Sequence, residues 1–218
     1  MNGNWRGYGF KNDNSYTTTK FISTVEADGK DEFLNYLPKK GGNKPSYSPK
    51  DYFAEGDAAG PNTYPNTGRY DLYGNASIPT GILMEVEEQK KDGTMVIRLS
   101  YEEPKEQLEL TEISPLPCIV PYEGEAEKLP EDTKEIIFSY SKKIKASDKD
   151  LNKIKVVSDQ KKMKGVKAWV EDNKLILSFT EEMKEGHAYT VIIPQGILKA
   201  EGDEKIINNY NGIYGFIK

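Results

Sequence analysis

The chain has 218 residues, of which 36% are hydrophobic and 30% are charged, and its formal net charge is −5. That length fits one large domain or two modest ones, and the acidic balance disfavours a nucleic-acid-binding protein. Cys118 is the single cysteine, which excludes an intramolecular disulfide, and no run approaches the roughly 18 apolar residues of a transmembrane helix.

Residues 1–80 are rich in Gly, Asn, Pro, Tyr and Thr, which predicts an irregular, loop-rich unit. The first residues, MNGNWRGYGF, contain no basic segment followed by an apolar run, so no signal peptide is predicted. Tyrosines of this region could line a carbohydrate or peptide groove, because exposed Tyr with Asn and Gly is typical of binding surfaces. The alternative, which we favour, is that their rings cover the β-hairpin that follows. The tyrosines concerned are Tyr47, Tyr52, Tyr64, Tyr70 and Tyr73.

The acidic stretch VEADGKDE, residues 25–32, is a candidate calcium loop. Calcium binds about six to eight hard oxygen atoms, which carboxylates can supply. The stretch does not match the D-x-[DN]-x-[DN]-G calcium pattern, and a solvated Asp28-Gly29 turn is the alternative that we favour. The sequence therefore assigns no catalytic, cofactor or metal site, and calcium stays a hypothesis. Its candidate ligands are Glu26, Asp28, Asp31 and Glu32, with Asp57 as a more distant one.

A β-hairpin is predicted over residues 82–100. Two β-prone segments, ILMEVE and TMVIRLS, flank Asp92-Gly93, which is a strong hairpin turn signal. Alternation along the first segment predicts that Ile82, Met84 and Val86 form one buried face.

Residues 113–218 are predicted to form a β-sandwich that follows a loop-rich β unit at 1–112. Short β-prone runs succeed one another with turn signals between them, mostly at intervals of about 10–20 residues. The segment DKDLNK between two of them is compatible with one helical turn. The fold class is therefore mostly β. The predicted strands are EIIFSY (135–140), KIKVVS (153–158), KGVKAWV (164–170), KLILSFT (174–180), AYTVIIP (188–194) and IYGFIK (213–218).

Lysines are concentrated in residues 142–167, which hold 10 Lys and 3 Asp. Such a patch could bind an anionic polymer, but it lacks the aromatic residues that stack on bases. We favour a solvated sheet face on which lysines protect the edge strands from pairing.

Within residues 115–218, the segments IIFSYSKKI, KLILSFTEEMKEGHAYTVIIPQGI and NNYNGIYGFIK resemble the bacterial Ig-like domain of S-layer and other cell-surface proteins. Met183 stands where that family usually has Leu. The resemblance implies an Ig-like sandwich in which Tyr189 packs at a corner with its hydroxyl bonded to the backbone. Strand alternation places Tyr189 in the core and Trp169 among charges on the outer face, where Trp169 is the best candidate for a partner contact.

The segments ISTVEADG, DYFAEGDAAGPNTYP and RYDLYGNASIPTGI are similar to the region that follows the catalytic core in immune inhibitor A-type secreted metallopeptidases. The His-Glu-x-x-His helix of those enzymes is missing, and His187 is the only histidine. A zincin needs two His on one helical face and a third ligand, so no zinc site is predicted here. The resemblance implies a C-terminal piece of such a protein or a degenerate relative of it, and not an active peptidase. His187 is interpreted as a turn residue and Cys118 as buried or inert.

These observations favour a non-catalytic accessory region of a secreted metallopeptidase-like protein, extracellular or on the cell surface, that acts in docking, spacing or adhesion. The expected partner is a protein or a cell-wall polymer surface, and neither nucleic acid nor a cofactor is expected. Two alternatives stay open. The chain could be part of a zinc metallopeptidase whose catalytic motif lies outside it, or it could be a carbohydrate-binding module.

Overall fold

A computed structural model describes residues 26–28, 49–69, 71, 75–115, 128–158 and 161–218. These residues form two compact units. The hairpin unit contains residues 26–28, 49–69, 71 and 76–105, and the sandwich unit contains residues 75, 106–115, 128–158 and 161–218. Both units are built from antiparallel strands with very little helix, which confirms the predicted mostly β fold.

The hairpin unit contains one three-stranded antiparallel sheet. Its strands are β1 (Ala58–Ala59), β2 (Ile82–Gln89) and β3 (Met95–Tyr101), in the order β1-β2-β3, and a short 3₁₀ helix at Pro49–Asp51 precedes them. The predicted turn joins β2 to β3. Gly93 has a φ of 87°, which glycine adopts without steric cost, and Oδ1 of Asp92 accepts the N–H of Thr94 at 3.0 Å.

The face of β2 that alternation predicted to be buried is buried at one end only, so that prediction was wrong. Val86 is 2% exposed, whereas Ile82 is 51% exposed. Residues 56 and 57 run beside Val86 and bond to its carbonyl and its N–H, both at 2.9 Å. Strand β1 pairs only with Met84 and Glu85 and does not extend to Ile82. A period of two identifies a face, but it does not show whether another layer covers that face.

The sandwich unit contains two four-stranded sheets and a smaller three-stranded one, with strand orders β4-β5-β10-β9, β14-β11-β7-β8 and β13-β12-β6. Helix α1 (Asp148–Leu151) is the predicted helical turn, and the Ser147 side chain caps it by accepting the N–H of Asp150. The strands are β4 (Leu110–Ser114), β5 (Glu135–Tyr140), β6 (Ile144–Lys145), β7 (Lys155–Ser158), β8 (Lys161–Lys162), β9 (Val166–Glu171), β10 (Lys174–Phe179), β11 (Ala188–Ile193), β12 (Lys199–Ala200), β13 (Asp203–Ile207) and β14 (Gly212–Ile217).

One hydrophobic core joins the two four-stranded sheets, as in a β-sandwich. Phe138 on β5 and Leu175 on β10 enter it from one sheet, and Val191 on β11 and Tyr214 on β14 enter it from the other. The rings of Phe138 and Tyr214 meet between the sheets, with their centroids 5.0 Å apart. Contacts of this kind hold the two layers together.

Tyr189 is a buried core residue whose hydroxyl is bonded to the backbone, as expected. It is 4% exposed, its ring stacks on Phe216 at 5.5 Å, and its hydroxyl accepts the N–H of Lys184 at 2.7 Å. Met183, beside that bond in sequence, is 5% exposed and belongs to the same core. Methionine is close to leucine in volume, so it fills a core position of that size.

The approach to the last strand is held by a buried asparagine and a glycine. Asn208 is 3% exposed, and its side chain accepts the N–H of Leu198 at 2.9 Å and donates to the carbonyl of Pro194 at 2.8 Å. A Cβ atom on Gly212 would lie 2.6 Å from the ring of Tyr214. Glycine is needed at residue 212 because any larger residue would displace that ring from the core.

Strand β14 is an edge strand whose backbone is covered by other parts of the sandwich unit. Oδ1 of Asn75 accepts the N–H of Ile213 at 2.7 Å, and Nδ2 of Asn75 donates to the carbonyl of Ile213 at 3.3 Å. Asn75 is 4% exposed. Lys128 forms a parallel bridge with Ile217 farther along the strand. The amide of Asn75 thus stands in for a neighbouring strand and protects the edge from pairing.

Strand β4 crosses the boundary that the sequence predicted between the two units. Residues 110–114 span the boundary placed between residues 112 and 113, and they pair with β5. Leu108 is fully buried and Ile113 is 2% exposed, and both belong to the sandwich core. The sandwich unit therefore includes the residues from 106 onward, because these apolar side chains need that core.

Trp169 lies on the outer face of its sheet, as alternation predicted, but it is half-buried rather than fully exposed. Its neighbours Ala168 and Val170 pack against the core on the opposite face. Trp169 stands directly across from Ile176, which is 6% exposed. Directly opposed side chains share a face and touch, so part of the indole is covered within the sheet itself.

We expect truncation of Tyr189 to destabilise the protein far more than truncation of Trp169. Tyr189→Ala removes a buried ring from the core and should cost about 3–5 kcal/mol. Trp169→Ala removes a half-buried ring and should cost about 1–2 kcal/mol. Tyr189→Phe is the matched control, since it removes only the hydroxyl bond to Lys184. Urea melts of the three variants test this, and a larger loss for Trp169→Ala would contradict the face assignment.

A fragment of residues 106–218 should unfold cooperatively and be more stable than a fragment of residues 115–218. The shorter fragment lacks Leu108 and Ile113, whose burial contributes about 1.5–3 kcal/mol each, so the difference should be about 3–6 kcal/mol. Asn75 is absent from both fragments, so the difference reports on β4 and the residues just before it. Equal free energies of unfolding in urea would show that these residues do not belong to the sandwich.

Candidate functional site

Three carboxylates converge at the start of the hairpin unit. One oxygen each from Glu26, Asp28 and Asp51 lies within 4.8 Å of the others. Glu26 is 1% exposed and Asp51 is 7% exposed. The N–H of Ala27 donates to the carbonyl of Asp51 at 3.0 Å, which joins the turn at residues 27–28 to the end of the 3₁₀ helix. The backbone thus brings together acidic residues that are far apart in sequence.

The carboxylate cluster has the oxygen chemistry that calcium prefers, and it fits the calcium hypothesis in part. The structure brings the predicted residues Glu26 and Asp28 together, and it adds Asp51, which sequence reasoning missed because no spacing rule links it to the acidic stretch. Asp57 lies elsewhere, and its carboxylate accepts the N–H of Ala54 at 2.7 Å. Asp31 and Glu32 lie outside the described residues. A turn is also present at residues 27–28, and Gly29 of the predicted Asp28-Gly29 turn lies outside the described residues.

A second feature of the hairpin unit is an apolar face that we call the hairpin face. It is formed by the directly opposed pairs Ile82 and Tyr101, Met84 and Leu99, and Val86 and Ile97. Leu99 and Tyr101 are 70% and 71% exposed, and Ile97 is 50% exposed. The large hydrophobic residues that are exposed among the described residues all belong to the hairpin unit, and they are Tyr52, Ile78, Ile82, Ile97, Leu99 and Tyr101.

The opposite face of the hairpin is polar. The guanidinium of Arg98 pairs with Glu85 at 2.8 Å and with Glu87 at 3.2 Å. The hydrogen bond with Glu85, with the charges of both carboxylates, raises the pKa of Arg98 above its usual value. Leu83 lies on this side over Gly60, where a Cβ atom would be only 2.7 Å from the leucine. The hairpin therefore has one solvated charged face and one apolar face.

Strand β3 is an edge strand of the described sheet, and its free backbone groups belong to the residues of the hairpin face. Glu102 donates its N–H to the carbonyl of Gly81 at 2.9 Å. In antiparallel pairing alternate residues bond the same neighbour, so Ser100 and Arg98 also bond toward β2. The N–H and C=O groups of Ile97, Leu99 and Tyr101 consequently point away from β2, at the open edge.

Lysines of the stretch 142–167 form ion pairs with carboxylates from other parts of the sandwich unit, which agrees with the solvated-face interpretation. Lys145 pairs with Glu204 at 2.8 Å and Lys143 pairs with Asp172 at 2.9 Å. The hydrogen bonds from these lysines lower the pKa values of the Glu204 and Asp172 carboxyls. Strand β8, which is Lys161–Lys162, is a short, exposed edge strand, as predicted for lysines that protect an edge.

The remaining candidate residues do not form a cluster in the described parts of the chain. His187 is half-buried in a turn, where its N–H donates to the carbonyl of Lys184 at 3.3 Å. Of the tyrosines proposed to cover the hairpin, Tyr52 is 69% exposed and Tyr64 is half-buried. The others, Tyr47, Tyr70 and Tyr73, lie outside the described residues, as does Cys118.

Among the described residues no helix is long and apolar enough to cross a membrane. A comparison of the sequence with protein-family models finds no match, and a comparison with curated proteins finds none either.

The two interpretations of the acidic stretch predict different responses to calcium. If the carboxylate cluster holds calcium, millimolar CaCl₂ should raise the Tm of the full chain, since a ligand at about 100 times its Kd stabilises by about 2.7 kcal/mol. Asp51→Asn should then abolish the shift, and Asp57→Asn, outside the cluster, should keep it. If residues 27–28 form only a turn, neither CaCl₂ nor EGTA changes the Tm of the wild type. Magnesium at equal concentration controls for ionic strength.

Proposed function

We propose that this chain is a non-catalytic accessory region of a larger secreted or cell-surface protein, and that it docks onto a protein partner through the hairpin face. The observation that carries the proposal is the concentration of exposed apolar side chains on one side of β2 and β3. A contiguous apolar patch on a soluble protein is typical of an interaction site. The face offers Leu99 at its centre and Tyr101 at one end, and tyrosine is enriched among residues that dominate binding energy.

The division of the chain also supports docking. The sandwich unit has its large apolar side chains in a continuous core, and none of its described residues is a large exposed hydrophobic. Its described lysines 143, 145, 153 and 199 pair with carboxylates, which leaves a mixed and solvated surface. A spacer needs such a surface, whereas a docking element needs an apolar one. We therefore assign spacing to the sandwich unit and docking to the hairpin unit.

The alternative of a zinc peptidase half is less well supported by the residues at hand. His187 is the only histidine of the chain, so the zinc ligands would have to come from another chain or from an upstream segment. An in-frame His-Glu-x-x-His upstream of Met1 in the gene would favour that alternative. A carbohydrate-binding role needs stacked aromatic rings beside polar groups, and the hairpin face presents Tyr101 with aliphatic neighbours instead.

Site-specific photocrosslinking in the cells that make the protein tests the proposal. With p-benzoylphenylalanine at Leu99, we expect a protein adduct after irradiation. With the same residue at Lys205, exposed on β13 of the sandwich unit, we expect none. Adducts at both positions or at neither would contradict docking through the hairpin face. An adduct that glycosidases remove and proteases do not would instead support the carbohydrate alternative.

A further inference from the structure

We infer that the open edge of β3, which carries the hairpin-face residues Ile97, Leu99 and Tyr101, docks onto a second copy of this chain, by antiparallel pairing of β3 with β3 across a two-fold axis at Leu99. The inference rests on the proposed docking function and names its partner. It starts from the open edge, where Ile97, Leu99 and Tyr101 carry backbone groups that point away from β2. An edge of this kind is a template for an added strand.

Strand β3 is the least protected edge among the described strands. It is the longest of the edge strands, with seven residues, and Arg98 is its only charged residue. Other edges carry recognisable protection. Strand β8 consists of two lysines, β13 contains three charged residues within five, and β14 is covered by Asn75 and Lys128. Natural proteins protect edges that must stay single, so an unprotected one is a place to pair.

The sequence of β3 is complementary to itself in the register centred on Leu99. An antiparallel pair places Leu99 opposite Leu99 of the second copy, and Ile97 opposite Tyr101. These are the residues whose backbone groups point outward, so each opposed pair can exchange hydrogen bonds. Registers shifted by one residue would place an outward group opposite an inward one. A two-fold interface requires this kind of self-complementarity.

Charges do not oppose the pairing. In this register Arg98 stands opposite Ser100 of the second copy, and its own charge is already balanced by Glu85 and Glu87. Glu102 stands opposite Val96, so no carboxylate faces a carboxylate. On the other side of the sheet, the two hairpin faces join into one apolar surface, with Ile97, Leu99 and Tyr101 of each copy adjacent. The pairing brings exposed apolar side chains together while it satisfies backbone groups.

A strand-to-strand contact of this size is small beside a standard dimer interface, so we expect weak association with a Kd on the order of 10–100 μM. Sedimentation equilibrium of the full chain should show the weight-average mass rising from 24.6 kDa towards twice that value as concentration increases. Leu99→Lys and Leu99→Glu should each raise the Kd at least about tenfold, because each places like charges directly opposite one another. An equimolar mixture of the two variants should recover the dimer.

Ile82→Lys is the matched control. Ile82 shares the hairpin face with Leu99 but lies on β2, away from the open edge. Edge pairing leaves the dimer of Ile82→Lys intact, whereas stacking of two hairpin faces would be lost. Melting curves of all three variants establish that they are folded.

Three results would overturn the inference: a wild type that stays monomeric at several hundred micromolar, a mixture of the charge variants that stays monomeric, or a dimer that Ile82→Lys disrupts as strongly as Leu99→Lys. These results would overturn self-pairing without overturning the proposed docking function. A monomeric chain whose Leu99 position still crosslinks to another protein would retain docking and lose self-pairing, and an adduct of two copies would support both.

Discussion

The contact between the rings of Phe138 and Tyr214 links the two layers of the sandwich unit, and much of that unit serves to place these rings. Phe138 lies on β5, between β4 and β10, so its position is fixed from both sides. Tyr214 lies on an edge strand, so its position is not fixed by a neighbouring strand on each side. Gly212 leaves space for its ring, and Asn208 anchors the chain just before the strand. Buried amide bonds thus support an apolar contact, because an unpaired buried polar group would cost about 1–3 kcal/mol.

The two units differ in how far their apolar sheet faces are buried. In the sandwich unit each four-stranded sheet covers the inner face of the other, so the apolar residues on those faces are buried. The hairpin unit has one sheet of three strands, and its apolar face is covered at Val86 but not at Leu99. A single small sheet is marginally stable in water unless something packs on it. The residues to which we assign docking are therefore those that the described part of the hairpin unit leaves without cover.

The sequence predicted those elements whose apolar alternation is strong. β5, β10 and β11 appeared within a residue of their observed ends, because each alternates large aliphatic or aromatic residues over six positions. Strand β4 was missed, because LELTEIS carries two glutamates and its apolar residues are few. The hairpin was predicted with its turn, but Ile82 was wrongly predicted to be buried, because burial depends on whether another layer covers a face and not on the local pattern. Asp51 could not be predicted, since folding alone brings it beside Glu26.

The two hydrogen bonds between Asn75 and Ile213 have a consequence for the choice of an expression host. Asn75-Ala76-Ser77 matches the acceptor pattern for N-linked glycosylation. In a eukaryotic secretory pathway a sugar on Nδ2 would replace one N–H of an amide that is 4% exposed in the folded unit. The glycan could not be accommodated at that position, so the edge of β14 would lose its cover. Protein made in such cells would differ at this edge from protein made where asparagine is left unmodified.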